Sequence, residues 1–311
     1  MTGVVQTILG TPLLALTWSG LTQTLVLGLL TGGVYALAAS GLTLVFGVMN
    51  VINVAHGSLL ILAAYLTWLI WRHTGLDPLA IAVLTTPVMF ALGWLMYWVA
   101  IHRVRSAGAS MSVLLTFAIA LIIEGSLGRI WKGVFRAVTP SYFDEAVKIG
   151  GISLPTAKLY ACALAVGLLV LLWLFLARTW LGRAIRASSE NVQAARLMGI
   201  DVAAVAALAF AIGIATTGAG GSLISVLYPF MPATHYQWIS RLLGIIVLGG
   251  MGSLAGAFVG ALSMGVAESL TTAYIAPRWQ TMVPYVVIFV VLLLRPQGIF
   301  GSRTREDVVA A

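Results

Sequence analysis

The sequence predicts an all-α, polytopic helical bundle of about eight membrane spans, with some helices broken or re-entrant. Of the 311 residues, 60% are hydrophobic and 8% are charged, whereas soluble domains carry roughly 25% charged residues. Ten tryptophans and nine tyrosines are typical of interfacial belts, and 33 glycines favour close helix packing in lipid. Because apolar runs extend along the whole chain, we expect residues 1–311 to form one transmembrane domain.

The apolar runs, taken in order, define the expected spans. They cover 21–47, a short stretch at 59–71, 78–100, 111–130, 159–177, 202–228, 242–270 and 282–294. Residues 1–17, broken by Gly10 and Pro12, predict a short interfacial helix. A chain that returns to the same side between 202 and 295 must cross an even number of times. We therefore expect 242–270 to contain two segments, or a re-entrant pair, joined at its glycines.

The distribution of basic residues predicts the orientation. Lys and Arg collect in cytoplasmic loops of membrane proteins, which explains the net charge of +8 without nucleic acid. If 101–110, 178–202 and the tail with Arg295, Arg303 and Arg305 face the cytoplasm, the loop 131–158 lies outside. The first twenty residues contain no Lys or Arg, so we expect no cleavable signal peptide and a mature chain that starts near Met1.

A polar break, NVINVAHGS at 50–58, follows the first span. Asn50, Asn53 and His56 recur every three residues, with Gly57 beside them, and on a helix they would share one face. Such a face is costly in lipid and must meet either protein or a water-filled path. Interhelical hydrogen bonding without any ligand role remains an equal alternative.

A second interruption, VLGGMGSLAGAFVG, lies at 247–260. Gly249, Gly250 and Gly252 with Ser253 allow a sharp turn or a close backbone approach. The segment VLGGMG matches VFGVMN at 45–50 in Val, Gly and Met, and paired interruptions of this kind point toward a substrate site at the membrane midplane.

Two acids, Glu124 and Glu268, lie within apolar runs, and intramembrane carboxylates suggest function. A structural or gating role, substrate contact and ion coupling all remain open. No lysine follows the glycine spacing of a nucleotide-binding P-loop. The four histidines are scattered and there is a single cysteine, Cys162, so we expect no metal site, no disulfide within the chain and no catalytic residues.

The stretch RTWLGRAIRASSENVQAARLMGID at 178–201 is polar and basic, between apolar spans. We expect two short helices: the first over 182–187, the second capped by Ser188 or Ser189 and ended by Gly199. An ordinary cytoplasmic loop is one interpretation. The small residues Ala194, Ala195 and Gly199 favour the other, a docking helix that fits deeply into a partner's groove.

Several segments carry a family resemblance. QAARLMG at 193–199 resembles the EAA loop of bacterial ABC importer permeases, with Gln193 where many members have Glu. The flanking sequences resemble the LivH-type branched-chain amino acid ABC transporter permease family. They are GLTLVFGVMNVINVAHGSLLILAAY (41–65), GRAIRASSENVQAARLMGIDV (182–202), VLGGMGSLAGAFVGALSMGVAES (247–269) and LRPQGIFG (294–301).

The resemblance implies a permease subunit in the bacterial inner membrane, part of an importer of branched-chain or hydrophobic amino acids or a related small organic solute. It implies a second, LivM-like permease, two ATP-binding subunits that bind ATP and Mg, an extracytoplasmic solute-binding protein and surrounding membrane lipid. The chain itself would hold no cofactor. Ser58 replaces the acidic residue common after AHG in this family, which weakens the branched-chain assignment.

The resemblance also implies roles for particular residues. Contact with the ATPase would fall to Arg183, Arg186, Gln193, Ala194, Ala195, Arg196 and Gly199. From the polar break, the intramembrane acid and the glycine interruption described above, and not from the resemblance, we expect the substrate path to include Asn50, Asn53, His56, Gly57, Glu124, Gly249, Gly250, Gly252 and Ser253. Two rival hypotheses are an ion-coupled secondary transporter that uses Glu124 or Glu268, and a passive channel or structural subunit.

Overall fold

The structure, a computed structural model, describes residues 18–104, 108–149, 151–295 and 298–299. The interfacial helix expected over 1–17 and the arginines Arg303 and Arg305 lie outside these residues. The helices are α1 (Trp18–Met49), α2 (His56–Thr74), α3 (Pro78–Met96), α4 (Ala109–Trp131), α5 (Thr156–Arg178), α6 (Trp180–Glu190), α7 (Val192–Leu197), α8 (Val202–Leu227), α9 (His235–Gly249), α10 (Leu254–Tyr274) and α11 (Val283–Leu294).

The expected all-α polytopic bundle is confirmed. Within the described residues, seven helical segments are long and apolar enough to span a membrane, against the eight or so expected. These segments are α1, α3 with its continuation to Val104, α4, α5, α8, α10 and the stretch 277–294 that contains α11. The remaining long helices, α2 and α9, have 19 and 15 residues.

Helices α1 and α8 form the centre of the bundle, and small residues bring them together. Every residue from Thr31 to Val45 in α1 is buried, as is 213–226 in α8. A Cβ atom on Gly41 would clash with the Gly213 carbonyl oxygen, so only glycine allows the two helices to approach this closely. Helices α3, α4 and α5 lie at the periphery and expose large apolar side chains such as Leu114 and Leu171.

The loop between α4 and α5 carries a β-hairpin that the sequence did not predict. Strand β1 (Ala146–Ile149) pairs antiparallel with β2 (Ile152–Pro155), with Lys148 opposite Ser153. Earlier in this loop, Arg136 and Phe230 form an antiparallel bridge, and the Val138 amide donates to the Ser225 carbonyl oxygen at 3.0 Å. The loop therefore lies over the end of α8.

Helix α5 runs from this hairpin to α6, so it defines two ends of the bundle. We call them the hairpin end, with β1 and β2, and the α6–α7 end. The Gln23 side chain donates to the Ser153 carbonyl oxygen at 3.3 Å, which places the first turns of α1 at the hairpin end. Helix α1 therefore ends, at Met49, near the α6–α7 end.

Candidate translocation and coupling sites

The chain turns back into the bundle between α1 and α2. Asn50 ends α1 in the left-handed region, at φ 50°, and 50–53 is not helical. His56 then begins α2 with its Nε2 3.3 Å from the Ala38 carbonyl oxygen and within hydrogen-bond distance of the Thr217 hydroxyl. Ala38 lies about 16 Å before the end of α1, at 1.5 Å per helical residue. The sequence placed a re-entrant pair at 242–270, and this turn back between α1 and α2 was not anticipated.

The expectation that Asn50, Asn53 and His56 share one helical face is wrong, because the chain is not helical between Asn50 and Ala55. Asn50 is exposed, whereas Asn53 and His56 are buried. The Asn53 Oδ1 accepts from the Ala55 amide at 3.0 Å, and its Nδ2 has no hydrogen-bond partner among the residues described. The contacts of Asn53 and His56 are hydrogen bonds within the bundle, and a role in the substrate path stays a prediction.

Gly57 packs against a second helix that also starts inside the bundle. A Cβ on Gly57 would lie 2.5 Å from the His235 carbonyl oxygen and 2.9 Å from the Ile239 Cβ. Helix α9 begins at His235 after a 3₁₀ turn at Pro232–Thr234. The first turns of α2 and α9 are therefore in direct contact, and each helix is preceded by a chain segment that re-enters the bundle.

The glycines at 249–252 connect α9 to α10, as expected from the sequence. Gly250 and Gly252 have φ angles of 98° and 85°, and Ser253 caps α10 by accepting from the Gly256 amide at 3.0 Å. A substrate site at the membrane midplane stays a prediction. Gly252 lines a cavity with Gly47 and Arg186, so this connection lies at the α6–α7 end. The matching segments at 45–50 and 247–252 are the ends of α1 and α9.

Glu124 is bound by side chains of α9 rather than by a helix terminus. Its Oε2 lies 3.0 Å from the His235 Nε2 and accepts from the Tyr236 hydroxyl at 3.1 Å. The carboxylate is 24% exposed and lines a cavity of about 360 Å³ with Gly125, Gly128 and the 231–233 segment. Glu124 thus links a peripheral helix to the start of α9.

Glu268 is the centre of a buried polar cluster that the sequence analysis missed. The Arg241 Nε donates to Oε1 at 2.5 Å, while Tyr35 and Gln280 donate to Oε2 at 2.8 and 3.1 Å. The Arg241 guanidinium also lies 4.5 Å from the ring centroid of Trp238. One signal was available, since Arg241 is the single Lys or Arg between 202 and 277 and a charge in such a stretch requires a partner.

The basic stretch forms α6 and α7, longer and differently capped than expected. Helix α6 starts at Trp180, and its Thr179 cap accepts from the Gly182 amide at 3.0 Å. The cap of α7 is Asn191, whose Oδ1 accepts from two backbone amides, whereas Ser188 lies buried inside α6. Gly199, at φ 78°, follows the end of α7 as expected.

The surface of this helix pair differs in one position from the expected docking face. Ala195 is buried against the chain itself. The exposed members of the expected set are Arg183, Arg186, Gln193, Ala194, Arg196 and Gly199. Leu197 and Met198, next to them, are 89% and 82% exposed. Two adjacent large apolar side chains therefore stand free at the end of α7.

The candidate residues fall into separate groups. Asn53, His56 and Gly57 lie inside the bundle at the start of α2. Glu124 lies on a peripheral helix near α9. The glycine connection and the basic helix pair share the α6–α7 end, which the sequence analysis had not brought together.

Taken together, re-entrant half-helices, glycine-mediated packing and a basic helix pair at one end define a multi-pass membrane protein built around α1 and α8. The chain belongs to the family described as the branched-chain amino acid transport system / permease component, whose model matches residues 24–292.

This chain is also similar to individual branched-chain amino acid transport permeases. The high-affinity branched-chain amino acid transport system permease protein LivH of Escherichia coli K12 is 29% identical over 90% of this chain and 96% of its own. The high-affinity branched-chain amino acid transport system permease protein BraD of Pseudomonas aeruginosa is 27% identical over 92% of this chain and 97% of its own. A probable LivH of Methanocaldococcus jannaschii is 29% identical over 85% and 88%.

One solved structure, PsaBC from Streptococcus pneumoniae in complex with Fab, aligns with 88% of this chain and 92% of its own. The identity is 14% and the TM-score is 0.46.

Proposed function

We propose that this chain is the permease subunit of an ATP-driven, binding-protein-dependent importer in the bacterial inner membrane. Its substrate would be a branched-chain or hydrophobic amino acid, or a related small organic solute. The relatives named as branched-chain amino acid permeases, which match nearly their whole length, support the substrate class. The partners would be a LivM-like permease, two ATP-binding subunits that hold ATP and Mg, and an extracytoplasmic solute-binding protein.

The observation that carries the proposal is the free apolar tip of α7. Leu197 and Met198 lie outside the spanning segments, on a helix pair rich in arginine. Exposing two large apolar side chains to water is unfavourable by about 1.5–3 kcal/mol for each one left unburied. A partner protein that covers them at the cytoplasmic face would recover this free energy, and a nucleotide-driven subunit fits that position.

Movement of this tip can reach the rest of the bundle through α6. Gly182 packs so closely that a Cβ would lie 2.5 Å from the Leu176 backbone, and Ala184 and Ile185 are buried. Across a shared cavity, Arg186 faces Gly47 and Gly252. A rigid displacement of α6 would therefore act on α5, on the end of α1 and on the connection between α9 and α10.

The test is solute uptake into vesicles that contain the complete importer. We expect uptake to require ATP and the ATP-binding subunits, and Leu197→Glu/Met198→Glu to reduce it at least about tenfold, because a contact worth ~1.4 kcal/mol is lost. Val134→Glu is the matched control, since Val134 is exposed outside the spanning segments at the hairpin end. Unchanged uptake in the double variant would show that α7 is not the coupling surface.

The ion-coupled alternative depends on Glu124. Three donors hold the Glu268 carboxylate, whereas Glu124 is partly exposed and paired with a titratable His235. This alternative requires uptake driven by a proton or sodium gradient in vesicles without any ATPase. Uptake under those conditions would replace the importer proposal with the alternative.

A further inference from the structure

A polar cavity of about 260 Å³ lies at the hairpin end, between α1, α5 and α10. Its volume is slightly below the range typical of drug-sized ligands, so it suits the polar head of a small molecule. The residues that line it are Thr24, Leu27, Thr31, Lys158, Tyr228, Gly265, Glu268, Ser269, Thr272, Ala273 and Gln280.

The cavity carries a net positive charge, because the ion pair of Glu268 and Arg241 leaves the ammonium group of Lys158 unbalanced. The Glu268 carboxylate is neutralised by Arg241, and its second oxygen accepts from Tyr35 and Gln280. Lys158, in the first turn of α5, has no ion pair or hydrogen bond with any residue in the described ranges. An ammonium group that is half-buried without an acceptor favours an anionic group in the space beside it.

The hydroxyl groups of the cavity wall offer acceptors rather than donors. Thr24 donates to the Gly20 carbonyl oxygen at 2.8 Å and Thr272 to the Glu268 carbonyl oxygen at 2.8 Å. Ser269 donates to the Thr24 carbonyl oxygen at 3.0 Å. A hydroxyl has one hydrogen and two lone pairs, so these three side chains, whose hydrogens are already donated, keep lone pairs that can accept a hydrogen bond. A group with several N–H donors would satisfy them.

We propose that this cavity binds a zwitterionic head in which a primary ammonium lies close to an acidic group. The acidic group pairs with Lys158, and the ammonium donates to the hydroxyl oxygens of Thr24, Ser269 and Thr272. Two sources have this chemistry: a free α-amino acid, and the phosphatidylethanolamine headgroup of the surrounding lipid. The first source rests on the proposed function and places an amino acid contact inside the permease, at the hairpin end.

The first arm of the test measures binding of radiolabelled L-leucine to the purified full-length chain in phosphatidylglycerol nanodiscs. We expect saturable binding, with 3-methylbutylamine and 4-methylpentanoate competing at least tenfold more weakly, since each lacks one charged group. Lys158→Gln weakens binding roughly 10- to 100-fold, the range for a lost charge-assisted hydrogen bond. Thr272→Val weakens it several-fold. Lys148→Gln, at an exposed position of β1, is the matched control and leaves binding unchanged.

The second arm measures phosphatidylethanolamine retained by the chain after purification from mixed-lipid membranes. Lys158-dependent retention of this lipid, without leucine binding, supports the lipid source. If neither probe binds in a way that Lys158→Gln weakens, the inference is overturned. That result would not contradict the importer proposal. If Lys158→Gln still supports ATP-dependent uptake with an unchanged KM, only the binding role of this cavity is rejected.

Discussion

Arg241 and Glu268 show how single residues set the interior of this bundle. Both side chains are buried, and removing two charges from water costs several kcal/mol for each ion. The short Nε–Oε1 contact, the donors Tyr35 and Gln280, and the ring of Trp238 beside the guanidinium offset that cost. Each charge is tolerated only because the other is present, so the pair fixes α9 against α10.

Removing one charge of this pair is therefore expected to destabilise the chain. Glu268→Gln or Arg241→Met alone should lower the free energy of unfolding by about 3–5 kcal/mol, because one buried charge loses its partner. The readout is thermal exposure of Cys162, which is half-buried and the single thiol of the chain, to a thiol-reactive dye. The double variant Arg241→Met/Glu268→Leu should regain most of the loss. Single variants that unfold at the wild-type temperature would contradict this account.

The sequence indicates Glu268 but not its partners, for a physical reason. A carboxylate in an apolar run is visible as a local anomaly, whereas its donors lie on α1, α9 and the 277–282 segment, far apart along the chain. Glu124 is similar, since its position predicts a role but His235 and Tyr236 become its neighbours only through the packing of α4 on α9. Pairing of this kind is decided by tertiary structure.

At the scale of helices, glycines set how closely elements approach. Gly221 of α8 packs so closely against α2 that a Cβ atom there would clash with the Leu60 carbonyl oxygen. Gly125 of α4, by contrast, is exposed, and a Cβ there would meet no atom of the described chain within 4 Å. The same residue type therefore serves close packing at one site and leaves open space at the other.

This contrast predicts opposite effects for one substitution. Gly221→Ala should destabilise by about 1–3 kcal/mol or more, because backbone must move to make room. Gly125→Ala should be neutral or stabilising by up to about 1 kcal/mol, the helix propensity difference between the two residues. Thermal unfolding of the purified chain, followed through Cys162, compares them directly. Equal effects of the two substitutions would mean that the α2–α8 contact is looser than the structure shows.

The break between α1 and α2 explains why element boundaries were only partly predictable. A spacing of three residues at Asn50, Asn53 and His56 is compatible with a helix, and spacing alone cannot exclude a non-helical segment. Two local features decide the outcome: Asn50 tolerates a positive φ, and the Asn53 side chain accepts from the Ala55 amide. The glycines at 249–252 gave a clearer signal, because positive φ at two of them favours glycine strongly.

At the scale of the whole molecule, the two ends differ in chemistry. The hairpin end holds the β-hairpin and the polar cavity with Lys158. The α6–α7 end holds the arginine-rich helix pair, the free side chains Leu197 and Met198, and the connection through Gly252. Between these ends, α2 and α9 start side by side inside the bundle, so the segments that precede them lie between the polar cavity and a candidate coupling surface.

This asymmetry predicts that the two ends face opposite sides of the membrane, with α6 and α7 in the cytoplasm. In a Cys162→Ser background, Ser189→Cys should react with a membrane-impermeant maleimide only in inverted vesicles. Val134→Cys should react only in right-side-out vesicles. Both positions are exposed and lie outside the spanning segments, so a difference in labelling reports the side and not burial.

Ala195→Cys is the control for access within the same helix pair, because Ala195 is buried and its thiol should stay unlabelled from either side. Labelling of Ser189→Cys in right-side-out vesicles would place the basic helix pair outside. The positive-inside argument would then fail together with the proposed coupling role, since the ATP-binding subunits of that proposal would lie in the cytoplasm. The free apolar tip of α7 would instead have to meet an extracytoplasmic partner.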